Sequence, residues 1–402
     1  MASKAEILWC RGFQAVLKIG NYFMGYRTPV TLEGPGKSRE VGALLKERGL
    51  DRILVVTGES MFRRGAAAPL LEGLEAAGLI YTVQTFVHPD PTDLDVEEGY
   101  RTYRENGCRA IVALGGGSRI DCAKAIAAKA VHPKKTAVQL QGLLKVHRPI
   151  PTFVAIPTTA GAGSETTVAA VITDSATHRK ASINDPFLIP KFAVLDPELT
   201  VGLPPRTTAA TGMDALAHAV EAYTNQTYNT KLENELAKET VALIHGNLRR
   251  ACENGADLEA RQAMQRGAFC AGRAFTRGCV GYVHAVGHTL GGLYGVAHGE
   301  AMAVLLPHVM RQYGAAVHKR LAELAEVCGI GGGTAAEKAE NFIRWMEETN
   351  AALGLPNGFP QIREEDVPTM IAWARKEANP LYPVPVVWGE EEFRKLIDVL
   401  RT

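Results

Sequence analysis

Short apolar runs alternate with longer amphipathic stretches through the first half of the chain. Five of these runs have the length and residue content of buried β-strands: residues 53–57, 81–87, 110–114, 152–156 and 192–195. Residues 61–78 and 95–107, which lie between the first three runs, have apolar positions at helical spacing. Strands that alternate with helices are typical of βαβ units and a mostly parallel sheet. The first half therefore predicts an α/β domain.

The pattern changes near residue 204. Beyond it the β-rich runs nearly vanish, and segments such as 232–255 and 337–354 have helical periodicity. We therefore predict an α/β domain over residues 1–203 and an all-helical domain over residues 204–402, with the boundary at LPPRT (203–207). Residues 131–151 are predicted to form a loop with a short helix between two strands.

Composition and charge narrow the class of protein. The 402 residues are enough for two domains, and 46% hydrophobic with 22% charged residues is ordinary for a globular chain. A net charge of +1 gives no reason to expect nucleic acid, an anionic membrane or a polyanionic substrate. No apolar run approaches the roughly 18 residues of a membrane span, and no secretory signal is predicted. Seven cysteines without a CxxC pair predict reduced thiols in a cytoplasmic protein.

A run of three glycines, in AIVALGGGSRIDCAKAIA, follows the third predicted strand. Gly115, Gly116 and Gly117 let the backbone turn sharply and bring its N–H groups against a phosphate, and Ser118 opens a helix whose N-terminus favours anions. The Rossmann fingerprint is incomplete, because Ile120 stands where its third glycine belongs. A plain strand-to-helix turn is the alternative, but three glycines exceed what a turn needs. The segment therefore favours phosphate binding.

A second polar loop, FVAIPTTAGAGSETT, follows the next strand. Thr158 and Thr159 offer hydroxyls, and Gly161 and Gly163 permit close approach of the backbone. Alone it could be an ordinary β–α connection. Ligands of open α/β sheets bind at the carboxyl ends of the strands, so the loop is interpreted as the other wall of a cofactor cleft.

Acidic and histidine side chains recur at helical spacing in the second half. TGMDALAHAVEAY places Asp214 and His218 on one helix face, and HAVGHTLGGLYGVAHG carries His284, His288 and His298. One isolated DxxxH favours an Asp–His hydrogen bond in a core. Both segments together favour a metal site, and a carboxylate with several imidazoles suits Zn²⁺ or Fe²⁺. Spacing alone leaves open which of the three later histidines would bind the ion.

Five segments together resemble the iron-containing (group III) alcohol dehydrogenase family: ALGGGSRIDCAK, PTTAGAGSE, DPELTVGLPP, ATGMDALAHAVEAY and HAVGHTLGGLYGVAHGEAMAVLLPHV. The resemblance runs from about residue 28 to the end and is greatest to the lactaldehyde reductase and 1,3-propanediol dehydrogenase group. It implies an N-terminal Rossmann-like domain with a parallel sheet that binds a dinucleotide, an all-helical C-terminal domain, and a catalytic Fe²⁺ or Zn²⁺ in the cleft between them.

The resemblance also implies roles for particular residues. It makes Asp214, His218, His284 and His298 the metal ligands, and it leaves His288 beside the metal as a catalytic residue that relays a proton or orders cofactor and substrate. The implied cofactor-binding residues, with Asp121 supporting the glycine turn, are Gly115, Gly116, Gly117, Ser118, Asp121, Thr158, Thr159 and Lys180.

Two departures from the family pattern affect the expected specificity. Gly58, in ILVVTGES, stands where many members place an aspartate against the adenosine ribose, so NADP(H) is expected to be accepted besides NAD(H). The neighbouring Glu59 could partly replace that carboxylate. Arg277 stands where smaller or apolar residues are common, and either it shapes the substrate pocket or it points into solvent.

The resemblance predicts a metal-dependent alcohol dehydrogenase or aldehyde reductase for a small primary alcohol, diol or hydroxyaldehyde. A polyol dehydrogenase like glycerol dehydrogenase is one alternative. A lyase like dehydroquinate synthase is another, although the helical half lacks an obvious Lys/Arg cluster for its anionic substrate. We expect no nucleic acid or membrane partner, and a homodimer or larger homo-oligomer.

Overall fold

The computed structural model describes residues 2–88, 90–177 and 179–401, which divide into two compact units. An α/β unit comprises Gly25–Leu203 and Gly255–Gln265. A helical unit comprises the N-terminal segment up to Met24, Pro204–Asn254 and the chain from Arg266 onward. The structure thus differs from the sequence-based division at residues 2–24, which belong to the helical unit, and at residues 255–265, which belong to the α/β unit.

The α/β unit is built on two sheets. Its strands are β1 (Val30–Glu33), β2 (Arg52–Val56), β3 (Ile80–Gln84), β4 (Ala110–Gly115), β5 (Gly142–Leu143), β6 (Thr152–Pro157), β7 (Ala169–Thr173), β8 (Lys180–Asn184) and β9 (Phe192–Leu195). The larger sheet has the order β1-β9-β6-β4-β2-β3, and its neighbouring strands are parallel. The smaller sheet has the order β5-β8-β7. The predicted parallel-sheet domain is confirmed.

The helices are α1 (Lys4–Phe23), α2 (Val41–Lys46), α3 (Glu59–Arg63), α4 (Ala68–Ala76), α5 (Asp93–Glu105), α6 (Gly117–Val131), α7 (Ala137–Leu140), α8 (Pro205–Asn225), α9 (Lys231–Glu253), α10 (Leu258–Gly278), α11 (Tyr282–Tyr294), α12 (His298–Tyr313), α13 (His318–Val327), α14 (Ala335–Ala352), α15 (Val367–Ala378) and α16 (Glu390–Leu400). In the described part of the chain after Leu203, the regular elements are helical, as the pattern predicts. No helix in the described ranges is long and apolar enough to cross a membrane.

Helices cover both faces of the larger sheet. Successive strand residues point to opposite faces, so Leu54 and Ile111 enter one core with α5 and α6, whereas Ile53 and Val112 enter a second core with α2 and α4. All four side chains are fully buried. Burial on both faces explains why the central strands are continuous apolar runs rather than alternating ones. The carboxyl ends of the strands are therefore left as the open edge on which polar loops can meet.

The five predicted strands correspond to β2, β3, β4, β6 and β9. The strands without a sequence signal are β1, β5, β7 and β8, which are short or mix polar with apolar residues. Residues 61–78 have one helical pattern but contribute to two helices, α3 and α4. Gly65 lies between them with a φ of 74°, a left-handed conformation that ends α3.

Helix α1 belongs to the helical unit because its inner face is polar. Gln14, 2% exposed, donates hydrogen bonds to the carbonyls of Pro380 (3.0 Å) and Tyr382 (2.9 Å). Arg11 donates to the carbonyl of Val384 at 2.8 Å. These bonds satisfy carbonyls of an irregular segment. Apolar periodicity gives no signal for such a contact, so the sequence-based division places α1 with the α/β residues.

Candidate functional site

The glycine turn joins β4 to α6 in the α/β unit. Gly115 ends the strand, Gly116 caps the helix in an extended conformation (φ −73°), and α6 begins at Gly117, one residue before the predicted Ser118. A Cβ on Gly115 would lie 2.7 Å from Cβ of Arg119, and one on Gly117 would lie 2.9 Å from Cβ of Ala162. Glycine is therefore required by close packing, and the first N–H groups of α6 face outward from the helix end, where an anion is favoured.

The second polar loop lies against this turn. Gly115 pairs with Pro157 in the register of β4 and β6, and the N–H of Thr158 donates to the carbonyl of Gly115 at 3.1 Å. A Cβ on Gly116 would lie 3.3 Å from Oγ1 of Thr159. The structure thus brings together the two segments that the sequence predicts to be the walls of one cofactor site.

Asp121 supports the two loops from inside. Its carboxylate accepts from the N–H of Val171 at 3.0 Å. Burial raises the pKa of Asp121, although the charge of Lys124, this hydrogen bond and the nearby hydroxyl of Ser164 act to lower it. The residue joins α6 to the Thr-Thr loop and to β7. This position agrees with a supporting role.

Lys124 is a residue that the sequence analysis missed. It is fully buried, and Nζ donates to the carbonyl of Thr167 (2.8 Å), to its hydroxyl (2.8 Å) and to the carbonyl of Ala169 (2.9 Å). The end of the Thr-Thr loop is therefore held by one lysine of α6. A lysine on an otherwise apolar helix face, as in IDCAKAIAA, is the signal that could have found it.

Lys180 and Gly58 have different surroundings. Lys180 begins β8 and forms an ion pair with Asp90, with 2.6 Å between Nζ and Oδ1.

Gly58 follows β2 and caps α3, and a Cβ on it would lie 3.0 Å from Nε of Arg119. The carboxylate of Glu59 pairs with the exposed Arg63 one turn along α3. Arg119 was not singled out from the sequence.

In the helical unit, three helices carry the predicted metal ligands. Asp214 and His218 lie one turn apart on α8, His284 lies on α11, and His298 is the first residue of α12. From Oδ1 of Asp214, Nε2 of His298 lies 3.3 Å away, Nε2 of His284 3.7 Å and Nδ1 of His218 3.7 Å. Among the described residues, Asp214, His284 and His298 form a group whose ligand atoms all lie within 4.8 Å of one another.

Three buried polar atoms at this place have no hydrogen-bond partner among the described residues: Oδ1 of Asp214, Nδ1 of His218 and Nε2 of His284. Buried polar atoms are normally satisfied, because leaving one unpaired costs free energy. The unpaired atoms belong to a carboxylate and imidazoles, which are the donors that Fe²⁺ and Zn²⁺ accept. The residues present therefore fit a divalent cation, with His218 as a further donor beside the group of three.

Glu221 is a second residue that the sequence analysis missed. It is 1% exposed on α8, its Oε2 lies 2.5 Å from Nδ1 of His284, and its Oε1 accepts from the N–H of Val283 at 2.8 Å. Burial lowers the pKa of His284, but Glu221 and Asp214 outweigh burial and raise the pKa to about 9. Glu221 follows Asp214 by seven residues and His218 by three, which places it on the same helix face. That spacing is the sequence signal that could have identified Glu221.

His218 has the opposite electrostatics. Burial lowers the pKa of His218 to about 3, against the attraction of Asp214. Its ring stacks on Phe275 with 4.1 Å between ring centroids. The imidazole is therefore neutral at physiological pH, which is the form that binds a metal ion.

His288 lies beside this group with a partner of its own. Its Nδ1 is 2.8 Å from Oε1 of Glu377, which also accepts from the hydroxyl of Tyr382 at 3.1 Å. The His288 ring stacks on that of His298, with 5.3 Å between centroids, and its side chain is 44% exposed. His288 therefore adjoins the candidate ligands while hydrogen-bonded elsewhere.

The position of Arg277 excludes one of the two alternatives for that residue. Its side chain is 16% exposed, its Nε lies 3.5 Å from Oε1 of Glu233 and Nη1 donates to the carbonyl of Asn21. Glu233 is itself the third residue of α9, and its side chain completes the capping box with Thr230. Arg277 therefore joins α9, α10 and α1 and does not point into solvent.

Comparisons with known proteins identify the family of the chain. Residues 29–197 match the model of iron-containing alcohol dehydrogenases, and residues 208–398 match the C-terminal model of the Fe-containing alcohol dehydrogenase family. The chain is similar to NAD-dependent methanol dehydrogenase from Bacillus methanolicus, with 38% identity over 86% of this chain and 91% of that protein. It is similar to 1,3-propanediol dehydrogenase from Klebsiella pneumoniae, with 37% identity over 87% and 92%.

A solved 1,3-propanediol oxidoreductase has the same fold, with a TM-score of 0.89 and 36% identity over 94% of this chain and 99% of that one. Family models thus match most of the chain on both sides of residue 204, and the relatives are matched over nearly their whole length. The protein is an oxidoreductase, and its chain belongs to the iron-containing alcohol dehydrogenase family.

Proposed function

We propose that this protein interconverts a small primary alcohol, diol or hydroxyaldehyde with its carbonyl partner, using NAD(P)(H) and a divalent metal. The proposal is based on the buried nitrogen and oxygen atoms at Asp214, His218 and His284 that have no hydrogen-bond partner among the described residues. A core that merely satisfied its own polar groups would have paired them. Methanol and 1,3-propanediol, which are in the names of similar proteins, are small primary alcohols.

We propose Asp214, His218, His284 and His298 as the metal ligands. A bound Fe²⁺ or Zn²⁺ supplies Lewis-acid stabilisation of negative charge on the substrate oxygen. The chain's own residues prepare the site. Glu221 fixes the ring of His284 so that Nε2 is turned toward Asp214, and the stacking of Phe275 orients His218.

The α/β unit is proposed to bind the cofactor. Gly115, Gly116, Gly117 and Ser118 offer backbone N–H groups to the pyrophosphate at the N-terminus of α6. Thr158 and Thr159 supply hydroxyls from the adjoining loop, which Asp121 and Lys124 hold in place. Lys180 forms an ion pair with Asp90, and it contacts the ribose only when that ion pair opens.

His288 is proposed as the residue that moves a proton. Its Nδ1 is held by Glu377, so Nε2 is left for the substrate side of the ring. Burial raises the pKa of Glu377, but the charge and hydrogen bond of His288 and the hydroxyl of Tyr382 lower it further than burial raises it. The ionised carboxylate fixes the ring orientation that proton relay requires.

A panel of small alcohols and aldehydes, assayed with NAD(H) and with NADP(H) after defined loading with Fe²⁺ or Zn²⁺, tests the proposal. We expect turnover, measured by the absorbance of reduced nicotinamide, with at least one short primary alcohol or diol. Activity should vanish after chelation and return with the metal. If the absorbance stays constant with every pair of substrate and cofactor, the proposal is refuted.

We also propose that the protein is a cytoplasmic homodimer or larger homo-oligomer. The free cysteines support the location. Light scattering of the purified protein measures the assembly, and a monomeric mass would contradict this part of the proposal.

A further inference from the structure

We infer that Arg119 binds the 2′-phosphate of NADP(H) and makes this chain accept that cofactor. The inference rests on the proposed function, because it assumes that a dinucleotide lies on the glycine turn. Neither the glycine turn nor the replacement of aspartate by Gly58 identifies the side chain of Arg119.

Arg119 lies where the order of the sheet reverses. The chain leaves β2 for β3 on one side and returns to β4 on the other side of β2. The crevice at the carboxyl ends of two such strands is where open α/β sheets bind their ligands. Gly58 follows β2 and Arg119 lies in the first turn of α6, after β4. The two residues thus face each other across that crevice.

The contact between them is close. A Cβ built on Gly58 would lie 3.0 Å from Nε and 3.2 Å from Nη2 of Arg119. The stem of the arginine is packed over Gly115, where a Cβ would lie 2.7 Å from its Cβ and 2.9 Å from its Cγ. A side chain at position 58 or 115 would therefore displace the arginine. The two glycines leave room for the guanidinium.

The guanidinium has no ion-pair partner in the described part of the chain. The one carboxylate next to Gly58, that of Glu59, is paired with Arg63. Burial lowers the pKa of Arg119, with weaker opposing effects of Cys122 and Asp95. A partly desolvated and unpaired cation is costly unless an anion joins it. The anion expected beside the adenosine ribose is the 2′-phosphate.

The chemistry matches that group. A guanidinium can donate two parallel hydrogen bonds to phosphate oxygens, which makes arginine specific for phosphate. In dinucleotide-binding folds a carboxylate bonds the ribose 2′-hydroxyl of NAD, whereas a nearby arginine accommodates the 2′-phosphate of NADP. This chain has glycine in place of the carboxylate and a free arginine within reach. A positive guanidinium thus stands beside the ribose in place of a negative carboxylate.

The test measures binding to the metal-loaded protein, apart from turnover. Arg119→Met retains most of the stem over Gly115 and removes the charge. Its affinity for NADPH, from fluorescence titration, should fall about 10- to 100-fold, as expected for loss of one or two charged hydrogen bonds. Its affinity for NADH should stay unchanged. Arg101→Met, which removes an exposed arginine of α5, is the matched control and should alter neither.

Two fragments separate the phosphate from the rest of the cofactor. Adenosine 2′,5′-bisphosphate should compete with NADPH far better than 5′-AMP on the unchanged protein, and Arg119→Met should abolish the difference. Gly58→Asp places a carboxylate beside the guanidinium, so it should weaken NADPH binding and raise the preference for NADH. An unchanged ratio of the two affinities in Gly58→Asp would count against the inference.

The outcomes separate this inference from the proposed function. If both dinucleotides bind and Arg119→Met weakens them equally, or weakens neither, Arg119 does not recognise the 2′-phosphate and the dehydrogenase proposal stands. If the unchanged, metal-loaded protein binds neither dinucleotide, both proposals are refuted.

Discussion

Nδ1 of His284 lies 2.5 Å from Oε2 of Glu221, and this contact turns Nε2 of the same ring toward Oδ1 of Asp214. The carboxylate is held in turn by the N–H of Val283. Glu221 and Asp214 lie on the same helix, so α8 carries both a proposed ligand and the group that orients another ligand. The proposed metal centre therefore depends on a residue that is not itself a proposed ligand.

Replacing Glu221 should weaken metal binding without removing a ligand. In Glu221→Gln the ring of His284 keeps a neutral partner but loses the negative charge, so the affinity for Fe²⁺ or Zn²⁺ should fall about 10- to 100-fold. Titration against a chromophoric chelator measures it. Glu253→Gln removes an exposed carboxylate that pairs with Arg249 and should leave the affinity unchanged. Equal affinity in both variants would show that Glu221 has no part in orienting His284.

The two histidines that stack on each other should differ in function. His298→Ala should lose metal and activity together, because it removes a donor that lies 3.3 Å from Asp214. His288→Ala should retain most of its metal while its kcat falls by about 10²- to 10⁴-fold, the range for loss of general acid–base catalysis. Elemental analysis of both purified variants, together with their kcat values, makes the comparison. Equal loss of metal would mean that the roles are assigned wrongly.

Gly299 should be intolerant of any side chain. It follows His298 on α12, and a Cβ on it would lie 2.4 Å from the carbonyl oxygen of Ala210 on α8. Gly299→Ala must separate the two helices that carry Asp214 and His298, so it should lower the free energy of unfolding by about 1–3 kcal/mol and weaken metal binding.

Gly246→Ala provides the matched control on α9. Its Cβ would meet nothing within 4 Å, so the substitution should raise the free energy of unfolding by about 0.5–1 kcal/mol through the helix preference of alanine. Thermal and denaturant unfolding measure both variants. If Gly299→Ala were as stable as Gly246→Ala, the packing argument at α8 and α12 would be wrong.

Lys124 should stabilise the Thr-Thr loop. Lys124→Met leaves the buried carbonyl of Thr167 without this donor, at a cost of about 1–3 kcal/mol. Dinucleotide affinity should fall with stability, because the loop that carries Thr158 and Thr159 is released. Lys134→Met, at an exposed position before α7, should change neither. If Lys124→Met and Lys134→Met unfolded at the same temperature and denaturant concentration, the prediction would be wrong.

The elements of the fold that depend on local periodicity could be predicted from the pattern of apolar residues alone. Apolar runs at 53–57 and 110–114 became central strands, because a strand buried on both faces must be apolar throughout. The helical half followed in the same way from spacing. The order of glycines and threonines also predicted two loops at neighbouring strand ends, since parallel strands end at one edge.

Tertiary structure decided which side chains meet across elements. Helical spacing puts His284 and His288 on one face, yet only His284 reaches Glu221 and Asp214, whereas His288 is bound by Glu377. Such contacts join helices far apart in the chain, and spacing within one helix contains no information about the facing helix.

The unit to which α1 belongs was decided in the same way, by hydrogen bonds from Gln14 to carbonyls more than 360 positions later. The partner of Gly58 was likewise found only in space, because Arg119 is 61 residues away in the chain and 3.0 Å from where a Cβ at Gly58 would lie. Periodicity determines the secondary structure, and the packing of those elements determines the chemistry of the site.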